Sequence, residues 1–279
     1  MLLSALALHV GLYGAEPLFL PVKIDGPVHD PAKHTYWFGP FPECVALIDM
    51  NGDGRLDIAN GRNWYEAPNW VKHTDYREGA ETFGPITDDG GEVVMDVNRD
   101  GRPDIISSGW MKMSATYWYE NPGKPGVTWK ETLIHSARAM EGIMLADLAG
   151  HRNGDQDLLI NQWSPVQGQG VTWYEHIDKE PWFVKHVVGT EGDWHGNGVG
   201  DINGDGRLDI VTGASWWEAP PNPRSDKWTW HPDWNVFKAN VGHPVLVYDC
   251  NGDGVNDVIL GAAQDYGLSW LEQKVDRAG

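Results

Sequence analysis

Cysteine is scarce in this chain: Cys44 and Cys250 are the two in 279 residues. A disulfide scaffold is therefore excluded. Basic residues are also scarce, 21 Lys and Arg against 40 Asp and Glu, for a formal net charge of −19. A nucleic-acid partner needs a basic face to meet phosphate, and none is encoded. Past the N-terminus no apolar run approaches the ~20 residues of a transmembrane helix, so no membrane span is expected. A phosphate-binding glycine loop, a nucleophile elbow and a Cys-x-x-Cys pair are missing too.

What is abundant points to short strands. Gly (34), Pro (18) and Trp (16) mark a turn-rich, aromatic-rich all-β chain. The first fifteen residues, Met1 to Ala15, form an apolar run ending in Ala without a basic start. They read as a signal peptide, leaving a single domain over 16–279. The chain is then expected to be secreted or periplasmic, and monomeric.

The acids cluster at intervals. Four clusters share the pattern Asp-x-Asn-x-Asp-Gly-x-x-Asp: 49–57, 96–104, 201–209 and 249–257. A fifth, 147–157, departs from it by two extra residues and by Ala149 in place of the first Asn. The clusters start at 49, 96, 147, 201 and 249, a spacing of 47 to 54 residues that fits propeller blades. An apolar run precedes most clusters; before Asp201 the run is glycine-rich (Gly196 to Gly200). After each comes a second apolar run, then an aromatic run ending in Glu66, Glu120, Glu175, Glu218 or Glu272. A fourth run carries Trp and a terminal His such as His73, His135 or His186, for which a structural role is expected. Four runs per repeat predict four-stranded antiparallel blades. The fifth repeat stops after its third run, and Leu18–Ile24 is the spare strand expected to complete it. The expectation is a five-bladed β-propeller closed by its N-terminal strand, with a fragment of a larger propeller as the rival reading.

The clusters suit calcium. A hard divalent cation takes six to eight oxygens, and a tight turn aims carboxylates at one centre. The expected ligands are Asp49, Asn51, Asp53, the Arg55 carbonyl and Asp57; Asp96, Asn98, Asp100, the Arg102 carbonyl and Asp104; Asp201, Asn203, Asp205, the Arg207 carbonyl and Asp209; and Asp249, Asn251, Asp253, the Val255 carbonyl and Asp257. Helix-flanked EF-hands are disfavoured, because position twelve holds Asn60, Ser107, Thr212 or Leu260 instead of Glu. The sequence leaves calcium at the third copy open.

These motifs resemble the FG-GAP or VCBS repeats of calcium-binding propellers, over residues 40 to 273. That resemblance implies the propeller fold and structural calcium but names no activity, since such folds host adhesion, ligand binding and catalysis alike. Trp194-His195-Gly196 and Trp216 to Pro220 are also similar to propellers of the aldos-2-ulose dehydratase type, although that enzyme's cupin domains are absent here.

Six residues before each cluster stand Glu43, Gly90, Glu141, His195 and His243. An inner strand of that length puts them ~20 Å from the calcium loops, at the opposite mouth of the channel. A Glu/Glu/His/His ring there suits a second metal or acid–base chemistry. In the second repeat Asp88, Asp89 and Glu92 are near. Tyr76, Arg77, Arg138, Trp194 and Lys238 are candidate substrate contacts. One reading is a secreted module binding carbohydrate or protein at the channel mouth. Another is a metal-assisted sugar lyase or dehydratase using His195, His243, Glu141 and Glu43, and a third is a purely structural propeller. The two cysteines differ in register by six residues, so free thiols are expected.

Overall fold

Short β-branched and aromatic runs cut by Gly and Pro leave no room for long helices, and strands result. The computed structural model describes residues 21–25, 44–77, 91–109, 115–136, 140, 142–151, 154–161, 170–191, 196–263 and 266–274, without the side chains of 238 and 239. The chain divides into two units, Met1–His34 and Thr35–Gly279. Of the first, Pro21–Asp25 is described, and it forms no strand. The completing strand expected over Leu18–Ile24 is therefore not formed at residues 21–24. Pro21 has no N–H to give a ladder and splits the apolar run in two. Leu18–Leu20 and the expected signal peptide, Met1–Ala15, lie outside the described residues.

The second unit is all-β and propeller-like. Its five antiparallel sheets follow one another along the chain. The first is β1 (Ala46–Ile48), β2 (Asp57–Asn60), β3 (Asn63–Glu66) and β4 (Val71–His73). The second is β5 (Gly91–Met95), β6 (Asp104–Ser108), β7 (Ala115–Glu120) and β8 (Lys130–Ser136). The third is β9 (Ile143–Ala146), β10 (Asp157–Ile160), β11 (Val171–His176) and β12 (Phe183–Gly189). The fourth is β13 (Asn197–Gly200), β14 (Asp209–Thr212), β15 (Trp216–Glu218) and β16 (Thr229–His231). The last holds three strands among the described residues: β17 (Leu246–Tyr248), β18 (Asp257–Gly261) and β19 (Leu268–Leu271). A 3-10 turn, Val236–Ala239, precedes it. No helix among the described residues is long and apolar enough to cross a membrane.

The sheets stack face to face. The second strands β6, β10 and β14 are buried along their whole length, which explains runs such as Ile210-Val-Thr with no polar alternation. Four apolar clusters each join two consecutive sheets. Ile48, Trp64, Ile105 and Tyr119 join the first pair. Ile106, Trp118, Leu158 and Tyr174 join the next. Leu159, Trp173, Ile210 and Trp217 follow, then Val211, Trp216, Val258 and Leu260. The outward faces of the first and last sheets expose Leu47 (60%), Leu246 (51%) and Trp270 (51%), hydrophobic surface without a described partner sheet.

Inner strands pack side by side: β1 against β5, β5 against β9, and β13 against β17. The glycine run in β13 has its reason there. A Cβ on Gly198 would fall 1.9 Å from the Val245 carbonyl oxygen, and one on Gly200 2.4 Å from the Val247 side chain. Only glycine permits that approach.

Candidate functional site: acidic loops and inner-strand starts

Each acidic loop joins the first two strands of a sheet, and its backbone turns on its own carboxylates. Asp49 accepts backbone hydrogen bonds from Gly52 (2.8 Å), Asp53 (3.1 Å) and Gly54 (2.8 Å). Asp201 and Asp249 repeat all three bonds, and Asp96 accepts from Asp100 and Gly101. The sixth position is left-handed in all four loops, with φ of +84°, +83°, +83° and +92° at Gly54, Gly101, Gly206 and Gly254. A side chain there would be strained, which fixes glycine.

The third-position Asn works twice. Its Oδ1 accepts the fifth residue's N–H in all four loops. Its amide N–H donates to the Glu that ends the third strand: Asn51 to Glu66, Asn98 to Glu120, Asn203 to Glu218 and Asn251 to Glu272, at 3.1–3.3 Å. In three sheets the same Glu holds an outer-strand His stacked on a Trp. His73 lies on Trp64 at 4.0 Å, His186 on Trp173 at 4.3 Å and His231 on Trp216 at 4.1 Å. Their Nε2 atoms bond Glu66, Glu175 and Glu218. These histidines are structural, as the sequence suggested. His135 instead contacts the Tyr174 hydroxyl.

The ninth-position Asp has a part the sequence did not reveal. Asp57, Asp104, Asp157, Asp209 and Asp257 are fully buried. In each, one oxygen accepts an N–H from its own loop and the other an N–H from the end of the third strand or just beyond it. For Asp209 these come from Ile202 and Ala219, both at 2.8 Å. Burial pushes the carboxyls of Asp104, Asp157 and Asp209 up to about 6, against the pull of those two N–H groups. Each Asp is thus a brace across its sheet, with only its remaining lone pairs uncommitted to those two N–H groups.

At the seventh position the backbone was expected to serve, yet three side chains act as well. Arg55, Arg102 and Arg207 each pair with the fifth-position carboxylate. Each also donates through Nε to the carbonyl of Ala67, Asn121 or Ala219. The fourth such loop has Val255 there.

Starts of three inner strands converge. A Cβ on Gly142 would lie 2.6 Å from the His243 ring, and one on Gly196 2.4 Å from the Gly242 carbonyl oxygen. Burial lowers the His243 pKa, the Asn197 backbone pulling it partly back. Its Nδ1 is buried without a hydrogen-bond partner among the described residues. Glu43, Glu141, His195, Gly90, Asp88 and Asp89 lie outside the described residues, as do Arg138, Trp194 and the side chain of Lys238. Gly142 and Gly196 immediately follow Glu141 and His195 in sequence.

Arg77, a candidate substrate contact from the sequence, is buried. It is 1% exposed, pairs with the buried Glu92, donates to the Gly61 carbonyl and lies over the Tyr119 ring at 4.5 Å. The acid beside it consumes the charge that the sequence seemed to offer a ligand, and Tyr76 is buried too. Cys44 and Cys250 form no disulfide. Off the inner strands, a groove of about 610 Å³ opens between the first two sheets, lined by Trp64, Glu66, His73, Asp75 and Trp129.

Consecutive antiparallel sheets, each hinged on an acidic turn, define a β-propeller-like repeat protein. Residues 194–219, which span β13, its loop, β14 and β15, match the FG-GAP repeat family. The resemblance drawn from the acidic loops therefore stands. No curated protein matches the chain. Among solved structures, the V. cholerae biofilm matrix protein Bap1 matches 78% of this chain at 18% identity, with a TM-score of 0.46. The match spans 34% of Bap1, about a third of that protein's length.

Proposed function

We propose that this chain is a calcium-stabilised, secreted or periplasmic ligand-binding or adhesion module of β-propeller type. Its ligand is a carbohydrate or a protein, met as a monomer at the mouth where the inner strands start. The observation that carries this reading is the fourfold repetition of one loop geometry with hard oxygen donors. In each loop the first Asp, the Asn, the fifth Asp and the seventh carbonyl would hold calcium, with the lone pairs of the ninth Asp closing the shell: Asp49 to Asp57, Asp96 to Asp104, Asp201 to Asp209 and Asp249 to Asp257. Carboxylate, amide and carbonyl oxygens are the donors calcium prefers. Loops of this openness fit the ~0.1–1 mM affinities of extracellular modules, and so a calcium-rich compartment. Closure of five blades into a ring belongs to this reading, and it would cover the apolar faces that the first and last sheets expose.

A second reading, a metal-assisted sugar lyase or dehydratase, is favoured by His243, whose ring packs against Gly142 with its Nδ1 buried and without a hydrogen-bond partner among the described residues. An imidazole nitrogen at that place is a group of the kind that ligates metals or relays protons. Glycan-array binding of the full chain in calcium, repeated with His243→Ala, tests both. Retained glycan binding without turnover supports the module; turnover lost in the variant supports the enzyme; neither binding nor turnover of any glycan leaves a protein ligand as the module's partner.

A further inference from the structure

The third loop is built differently from the others, and the difference is chemical. Its first residue, Asp147, accepts the backbone N–H of His151 at 2.7 Å. In the regular loops that bond comes from the fifth-position Asp, as in Asp53 to Asp49. His151 therefore stands where a carboxylate stands elsewhere. Its Nδ1 faces Asp147 Oδ1 at 3.5 Å and Asp157 Oδ1 at 3.8 Å. That nitrogen is buried and has no hydrogen bond among the described residues. Donor atoms of Asp147, His151 and Asp157 all lie within 4.8 Å of one another.

The other ring nitrogen is tied. Nε2–H donates to Glu175 Oε1 at 3.3 Å, the contact made by the third-position Asn in the regular loops. Glu175 is itself anchored by Arg224 Nε at 2.7 Å and His186 Nε2 at 3.0 Å. A carboxylate behind Nε2 fixes the tautomer that turns a lone pair on Nδ1 toward the two aspartates, as second partners of metal-bound histidines do.

We propose that Asp147, His151 and Asp157 form a site for a first-row divalent transition metal of the zinc type, separate from the calcium loops. Two ligands ~2.0–2.1 Å from zinc at a tetrahedral angle lie roughly 3.3–3.5 Å apart, close to the separations across this cluster. Exchange of a carboxylate for an imidazole moves preference from calcium toward zinc, cobalt or nickel. Two residues before Asp157, where Arg55, Arg102 and Arg207 stand before their ninth-position Asp, this loop has Asp155 instead of an arginine. Three protein ligands leave a fourth position for water or a ligand group.

The test is calorimetric titration of zinc into the full chain held in saturating calcium, with cobalt absorption as a geometric readout. One zinc equivalent and a visible cobalt band are expected. His151→Ala should remove that equivalent, and Asp147→Asn should weaken it at least tenfold, both keeping the calcium-dependent melting transition. Asp147→Asn spares the buried brace and serves if His151→Ala does not fold. Absence of zinc binding in calcium, or an equivalent that survives both substitutions, overturns the proposal.

Discussion

The Ala219 backbone N–H donates to Asp209 Oδ1 at 2.8 Å, across the fourth sheet from the acidic loop. The same bond recurs from Ala67 to Asp57, Asn121 to Asp104, His176 to Asp157 and Gln273 to Asp257. The ninth-position Asp is thus part of the sheet before it is part of any cation site. Asp209→Ala should cost about 2–4 kcal/mol, because it strands two buried N–H groups. Urea unfolding in EGTA should show that loss undiminished. Asp205→Asn, at the exposed tip of the same loop, should leave EGTA stability within about 0.5 kcal/mol and reduce only the calcium increment.

Arg77 and Glu92 form a buried ion pair beneath Tyr119. Removing one member leaves the other charge buried alone. Arg77→Met should therefore destabilise by about 3–5 kcal/mol, and Arg77→Met with Glu92→Leu should recover most of that. Denaturant midpoints of the two variants decide it. A ligand-binding arginine would show a small stability change in both.

His135 is buried against Tyr174, and burial, aided by Lys185, lowers its pKa from 6.5 to about 4. An unfolded chain takes up the proton first as pH falls, so this residue's stability contribution is full above about 6.5 and lost between there and about 4. The loss is of the order of 3 kcal/mol at most. Buried Asp104 and Asp209 act in the opposite direction, since their raised carboxyls favour the folded state as pH falls. The difference between the wild type and His135→Phe isolates the histidine. Melting scans from pH 7 to 4 should show a shallower decline in the variant.

Arg207 shares the Asp205 carboxylate, whereas the 249–257 loop has Val255 there, and Asp253 has no such ion pair among the described residues. A unit charge at this distance near a surface is worth about 1 kcal/mol after screening. The 249–257 loop should bind calcium roughly fivefold tighter than the 201–209 loop, and Arg207→Val should erase the gap. Calorimetry on the single-loop variants measures it.

Leu47 and Trp270 test the ring. In a closed five-bladed ring their faces are covered, and Trp270→Asp should cost about 3–5 kcal/mol. On open, solvated faces the change stays within about 0.5 kcal/mol.

The repeat was legible because a calcium-type turn needs fixed residues at fixed spacing: Asp, Asn, Asp and Gly announce themselves, and the sheets fall between them. Trp64, Glu66 and His73 were visible as a pattern, but their stacking required strand pairing across the sheet. The ninth Asp looked like one more ligand, since sequence does not display which N–H groups meet it. His151 went unnoticed because it is fifth in its loop but carries no oxygen donor, and only the fold brings its ring beside Asp147 and Asp157. The pairing of Arg77 with Glu92 was hidden because the two are 15 residues apart and meet only in the fold. Residues 21–24 of the expected closing strand are not in a strand, and the effect of Pro21, which has no N–H for a ladder, was readable at the outset.

The most direct test of the account is the melting temperature of the full chain in 10 mM calcium against EGTA. Each site with a dissociation constant of about 0.1 mM adds roughly 2.7 kcal/mol under those conditions, or about 5–10 °C for a domain of this size. The account predicts a rise of that order or more, lost progressively as Asp53, Asp100, Asp205 and Asp253 are changed to Asn. An unchanged melting temperature would contradict it.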